Sequence, residues 1–181
     1  METNPRGIPK SPFVERVEDY VSDKEPVEAV LRKFQEAVSK YKFMEVSSLQ
    51  RRKVLEEKIP DIEKTLQMVQ FLAKEAQARE NGEDDEPVET DFELNETLYA
   101  KATIVPGKTV YLWLGANVML EYTVEEAEAL LKEKLDTAKH SLTTIAQDLE
   151  FLRDQITTME VNIARVYNWD VKQRRLQKEG K

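Results

Sequence analysis

The sequence predicts a mainly α fold: a long antiparallel two-helix coiled coil, with a small region of two β-hairpins between the helices. Three observations predict it. Of 181 residues, 40% are apolar and 34% charged, with only five glycines. That is too charged for a compact enzyme core and too apolar for a disordered chain. Two long stretches, one in each outer third, place apolar residues at alternating steps of four and three. Between them the composition turns to β-formers broken by turn signals.

The first segment, 1–25, carries a short amphipathic pattern. Ser11 can cap a helix with Pro12 in its first turn. Phe13, Val14, Val17, Tyr20 and Val21 then share one face. Such a helix either packs back on the coiled coil or serves in binding.

Helix 1 is expected over 26–80, opening at Glu25-Pro26, since proline suits the first helical position. Its seam runs Val27, Leu31, Phe34, Val38, Tyr41, Glu45, Ser48, Arg52, Leu55, Ile59, Ile62, Leu66, Val69, Ala73 and Ala76. The three polar positions are consecutive, and Met44 and Leu49 beside them offer a shifted seam, as in a stutter. Pro60 predicts a bend, not a break, because the seam keeps phase from Leu55 to Leu66.

Residues 81–90 read as an acidic loop, and 91–122 as the hairpin region. There Leu98, Ala100, Ala102 and Ile104 alternate with Tyr99, Lys101, Thr103 and Val105. A Pro106-Gly107 turn, TVYLWLG, a break at Gly115-Ala116-Asn117 and VMLEY follow. A short opening strand at Phe92–Leu94 makes the count four. Helix 2 is expected over 123–177, with 178–181 as a tail. Thr123 and Glu126 form a capping box, and Tyr122 and Ala127 a hydrophobic staple. Its seam, Leu131, Leu135, Ala138, Leu142, Ile145, Leu149, Leu152, Ile156, Met159, Ile163 and Val166, is apolar throughout. His140 falls outside it and is expected to face solvent.

Length sets the architecture. At about 1.5 Å per residue, helix 1 would span roughly 80 Å, against a radius of gyration of about 16 Å for a compact domain of this size. Two such helices, similar in length and joined by a connector, fold back on each other. A small sheet cannot cover both its faces and edges alone, so its apolar residues call for another chain.

Charge is localised. The formal net charge is -8, yet nine acidic residues and no basic ones lie between Glu80 and Glu96. The remaining 26 acidic and 27 basic residues nearly balance. The basic run from Lys172 to Lys181, with Arg174 and Arg175, is short and has no aromatic stacking platform. It leaves a nucleic-acid-binding coiled-coil arm as one alternative reading and a scaffold or tether as another.

Candidate chemistry is sparse. Without cysteine there is no thiolate metal site or cysteine nucleophile, and the lone His140 makes a Ser-His-Asp triad a poor candidate. Gly107-Lys108-Thr109 ends like a phosphate-binding loop, but Ala102 stands where its first glycine belongs and a strand follows. The Glu83–Glu86 cluster lacks the spacing of an EF-hand loop. Asn95-Glu96-Thr97 fits a glycosylation sequon without a secretory signal. No catalytic residue, metal site or cofactor is expected. No apolar run approaches the roughly 18 residues of a membrane span, so a soluble, intracellular chain is expected.

Three stretches go further than periodicity. KYKFMEVSSLQRR (Lys40–Arg52), LWLGANVMLEY (Leu112–Tyr122) and FLRDQITTMEVNIARVYNWDV (Phe151–Val171) resemble the corresponding stretches of eukaryotic prefoldin, in its alpha-type subunits. The resemblance covers roughly residues 13–175. It implies a co-chaperone that works without ATP, holds unfolded actin and tubulin, and passes them to the cytosolic chaperonin. It implies assembly with one further alpha-type and four beta-type subunits through a β-barrel platform, in the cytoplasm and also the nucleus. No nucleic-acid or membrane partner is implied. Assembly is then expected at Leu98, Leu112, Trp113, Leu114, Val118, Met119 and Leu120. Client contact is expected at the free tip of the coiled coil, at Val27, Leu31, Phe34, Val166, Trp169 and Val171.

Overall fold

The computed structural model describes residues 2–22, 25–82 and 86–179. Glu83–Asp85 of the acidic loop, with the EF-hand comparison that rests on them, and the last two residues of the tail lie outside the described residues. Helix α1 spans Val27–Glu80 and α2 spans Val124–Glu179. Between them lie β1 (Val88–Asn95), β2 (Leu98–Ile104), β3 (Thr109–Gly115) and β4 (Val118–Thr123). The strands form two separate antiparallel hairpins, β1–β2 and β3–β4.

The chain divides into two units. The terminal unit comprises Met1–Val54 and Leu142–Lys181, and the hairpin unit comprises Leu55–Ser141. In each, α1 and α2 run antiparallel. In the terminal unit Glu28 pairs with Arg174, Lys42 with Glu160 and Glu45 with Arg153. In the hairpin unit Glu63 pairs with Lys139, and Gln70 donates to Glu128. Partner numbers fall on α2 as they rise on α1, as antiparallel pairing requires. These exposed contacts set register more than they add stability.

Apolar burial supplies the cohesion. The terminal core joins Val27, Val30, Phe34, Val38 and Tyr41 of α1 to Leu152, Ile156, Met159 and Val166 of α2. The hairpin core joins Leu66 and Val69 to Val124, Ala127 and Leu131, with Leu112 of β3. Every one of the fifteen predicted α1 seam positions is buried or half-buried.

That corrects the expected seam shift. Ser48 is buried on the original seam and Leu49 is exposed. A small hydroxyl residue fits between helices without moving the phase, and Arg51 Nη2 donates to its Oγ at 3.4 Å. Pro60 lies inside α1, which continues through it.

At the start of α2 the capping box is reciprocal. The Glu126 backbone N–H donates to Thr123 Oγ1 at 3.2 Å, and the Thr123 N–H to Glu126 Oε2 at 3.1 Å. Tyr122 and Ala127 both join the hairpin core, as a staple should. Helix α2 runs two residues beyond its expected end, to Glu179. His140 is exposed.

Two further expectations need correction. The opening strand begins at Val88, not Phe92, so part of the expected loop 81–90 is sheet. Facing Ala102 and Thr103, the Glu89–Thr90 backbone finds ladder partners that composition does not reveal. The expected helix after Ser11 is also absent. The segment is extended, with one 3-10 turn at Val17–Asp19, and Phe13 is exposed. From Ser11 to Glu15 its backbone groups bond to side chains of α2, and from Arg16 to Val21 to each other.

Candidate assembly and client surfaces

The hairpin unit presents uncovered apolar faces. In β1–β2, Phe92 opposes Ala100, Thr90 opposes Ala102 and Val88 opposes Ile104, so these residues share one side of the ribbon. Phe92, Leu94 and Leu98 on it are exposed. The other side carries Glu89, Asp91 and Glu93 opposite Thr103, Lys101 and Tyr99.

In β3–β4 the packing against the helices splits the predicted assembly residues. Leu112 points into the hairpin core and is buried. Trp113, one step along, faces outward beside its cross-strand partner Met119, at 59% and 54% exposure. Leu98, Leu114, Val118 and Leu120 are exposed as well. Leu112 is therefore packed within its own chain. Phe92, Leu94, Tyr99 and Tyr111, not predicted, are exposed. Their alternation along the strands was the available signal. The β3–β4 turn is tight: Gly115, Ala116 and Asn117 take φ of 92°, 48° and 61°. Glycine and asparagine tolerate this left-handed geometry, whereas alanine is strained there.

The six predicted tip residues all lie in the terminal unit. Val27, Phe34 and Val166 are buried in its core, and Leu31 and Trp169 pack against it. Val171 is half-buried. Trp169 Nε1 donates to Glu18 Oε1 at 2.8 Å. A hydrogen bond from its own backbone N–H, together with this indole N–H, holds the Glu18 carboxyl below the usual carboxylate range. As folded, most of these side chains are covered by residues 8–21, including Ile8, Val14, Val17, Tyr20 and Val21. The exposed apolar surface of this unit includes Phe13, Phe43, Val46, Tyr167 and Leu176 instead.

A polar row on α2 went unpredicted. Asp148, Gln155 and Asn162 recur every seven residues beside the apolar seam, and each bonds to the N-terminal segment. Their heptad spacing was the signal that could have found them. Arg174 of the basic run is paired with Asp170 and Glu28, and those carboxylates, Asp170 foremost, raise its pKa. Among the described residues, no group of three or more acidic or histidine side chains could hold a metal ion. None of the described helices is long and apolar enough to cross a membrane.

Known proteins resemble this chain in sequence. The prefoldin subunit family profile matches residues 41–169. Prefoldin subunit 3 of Elsinoe fawcettii is 62% identical over 99% of this chain and 88% of its own length. The Saccharomyces cerevisiae protein of that name is 49% identical over 96% of this chain and 88% of its own. The Homo sapiens one is 46% identical over 93% and 83%. Two long helices enclosing two hairpins, matched at this identity along nearly the whole sequence, make this chain a member of the prefoldin subunit family, a component of the prefoldin co-chaperone.

Proposed function

We propose that this chain serves in a hetero-hexamer with one further alpha-type and four beta-type prefoldin subunits. That complex takes up unfolded actin and tubulin without ATP and passes them to the cytosolic chaperonin, in the cytoplasm and nucleus. The observation that carries the assembly half is the pair of hairpins with uncovered apolar faces. Trp113 and Met119 on one, and Phe92 and Leu94 on the other, are large apolar groups left in water by the lone chain. Contiguous apolar surface of this kind marks an interface. Closing the strands with those of neighbours would cover both faces and edges.

Client contact is assigned to the terminal unit, at Val27, Leu31, Phe34, Val166, Trp169 and Val171. Since most of these are covered, contact there requires the segment above them to move. Native mass spectrometry of the chain purified from its own cell extract tests the assembly: a hexamer with five other prefoldin subunits is expected, and a monomer or homo-oligomer refutes it. Suppression of denatured-actin aggregation by that hexamer tests capture, and equal aggregation with and without it refutes the client reading.

A further inference from the structure

The N-terminal segment packs apolar side chains into the terminal core, and from Pro9 to Glu15 it is also held by its backbone. Gln155 Oε1 accepts the Ser11 N–H at 2.8 Å. Asn162 Oδ1 accepts the Val14 N–H at 2.9 Å, and its Nδ2 donates to the Pro12 carbonyl at 2.7 Å. Arg165 Nη2 donates to the Glu15 carbonyl at 2.9 Å, and the Tyr41 hydroxyl to the Pro9 carbonyl, also at 2.9 Å. Main-chain contacts of this kind hold an extended peptide whatever its sequence, and side-chain pockets add preference. The pocket here takes Val14, which is 0% exposed. At the ends the contacts are ordinary polar ones: Asn4 and Arg6 to Asp148, Trp169 to Glu18.

The spacing is matched to an extended chain. From Gln155 to Asn162 is one heptad, about 10.5 Å of helix rise. From Ser11 to Val14 is three residues, about 10 Å when extended. One heptad of α2 thus reads three residues of extended polypeptide. Asn162 is itself 0% exposed, and both its amide atoms are satisfied by the segment. Water or another chain must satisfy them when the segment leaves.

We infer that this groove of the terminal unit is a binding site for an extended segment of unfolded polypeptide, occupied in the resting chain by its own residues 2–22, which compete with the client. The inference rests on the reading that the complex holds unfolded proteins. It adds the site, the backbone chemistry that recognises the client, and a built-in competitor. A tethered segment competes at an effective concentration of about a millimolar, so it suppresses weak ligands and yields to those that bind at several points.

The test uses the assembled hexamer in three forms: the intact chain, the chain lacking residues 2–22, and full-length Val14→Asp, which forces a charge into the apolar pocket and needs no deletion. The probes are a fluorescein-labelled peptide of residues 2–22, read by anisotropy, and denatured actin, read by light scattering. Both altered hexamers should bind the peptide about tenfold or more tighter than the intact one. They should also suppress actin aggregation at lower concentration, and excess peptide should reverse that gain. Adding Gln155→Leu and Asn162→Leu to the deletion should remove both effects. Equal peptide binding by all three forms, or none by any, overturns the site. Peptide binding with no change in actin capture overturns the competition and leaves a structural seat. If no form captures actin, the client reading itself fails, and peptide binding still decides the groove.

Discussion

Replacing Asn162 with leucine should loosen the N-terminal segment while leaving α2 intact. Leucine nearly matches asparagine in size and is the better helix former by a few tenths of a kcal/mol, so the helix loses nothing. The cost falls on the docked segment. The Val14 N–H and Pro12 carbonyl lose their partners at 2.9 and 2.7 Å, at a site where Val14 is 0% exposed. Each stranded group costs about 1–3 kcal/mol. Taking about 3 kcal/mol for the pair, at 1.4 kcal/mol per decade, weakens docking by about 100-fold. Hydrogen exchange followed by mass spectrometry on the assembled complex reads this directly. Amides of residues 8–22 should exchange about 100-fold faster, with α2 amides from Leu142 to Met159 unchanged. Unchanged protection at Ser11–Glu15 would refute the reasoning. So would faster exchange throughout α2, which would make Asn162 a general core residue and not a clasp.

Leu112 and Trp113 are neighbours with opposite roles. Leu112→Ala should lower the chain's own stability by about 2–5 kcal/mol in urea unfolding, whereas Trp113→Ser should barely change it and should reduce recovery of the other prefoldin subunits. Equal effects would contradict the split between a buried Leu112 and an exposed Trp113. Pro60→Ala should raise helix stability by up to about 3 kcal/mol with assembly retained, and failure to assemble would mean that the proline positions the helix. In a Trp113→Phe background, Trp169 is the single tryptophan, excited selectively at its red edge. Because the folded Glu18 pKa lies below the ordinary value of 4.5, its contact with Trp169 is fully present above about that pH. It is lost as pH falls through the lower folded value. Trp169 emission should therefore shift to the red only below 4.5, with Glu18→Gln flattening the change. A shift centred above that value would exclude Glu18 as its cause.

The helices, the capping box at Thr123 and Glu126, and the second hairpin could be read from the sequence alone. Each rests on local chemistry or on a period repeated over many residues, so no distant contact is needed to recognise it. Tertiary structure decided the rest. Ser48 stays on the seam because what matters there is the space between two helices, and a small side chain fits it better than a shift towards Leu49. Leu112 and Trp113 look alike as apolar strand residues, and only the packing of β3 on Leu66, Val69 and Ala127 separates core from surface. The N-terminal segment is the clearest case. Its apolar spacing suits a helix, but Gln155 and Asn162 provide bonds that an extended chain uses better. Those partners lie more than 140 residues away in sequence, where no local pattern can report them.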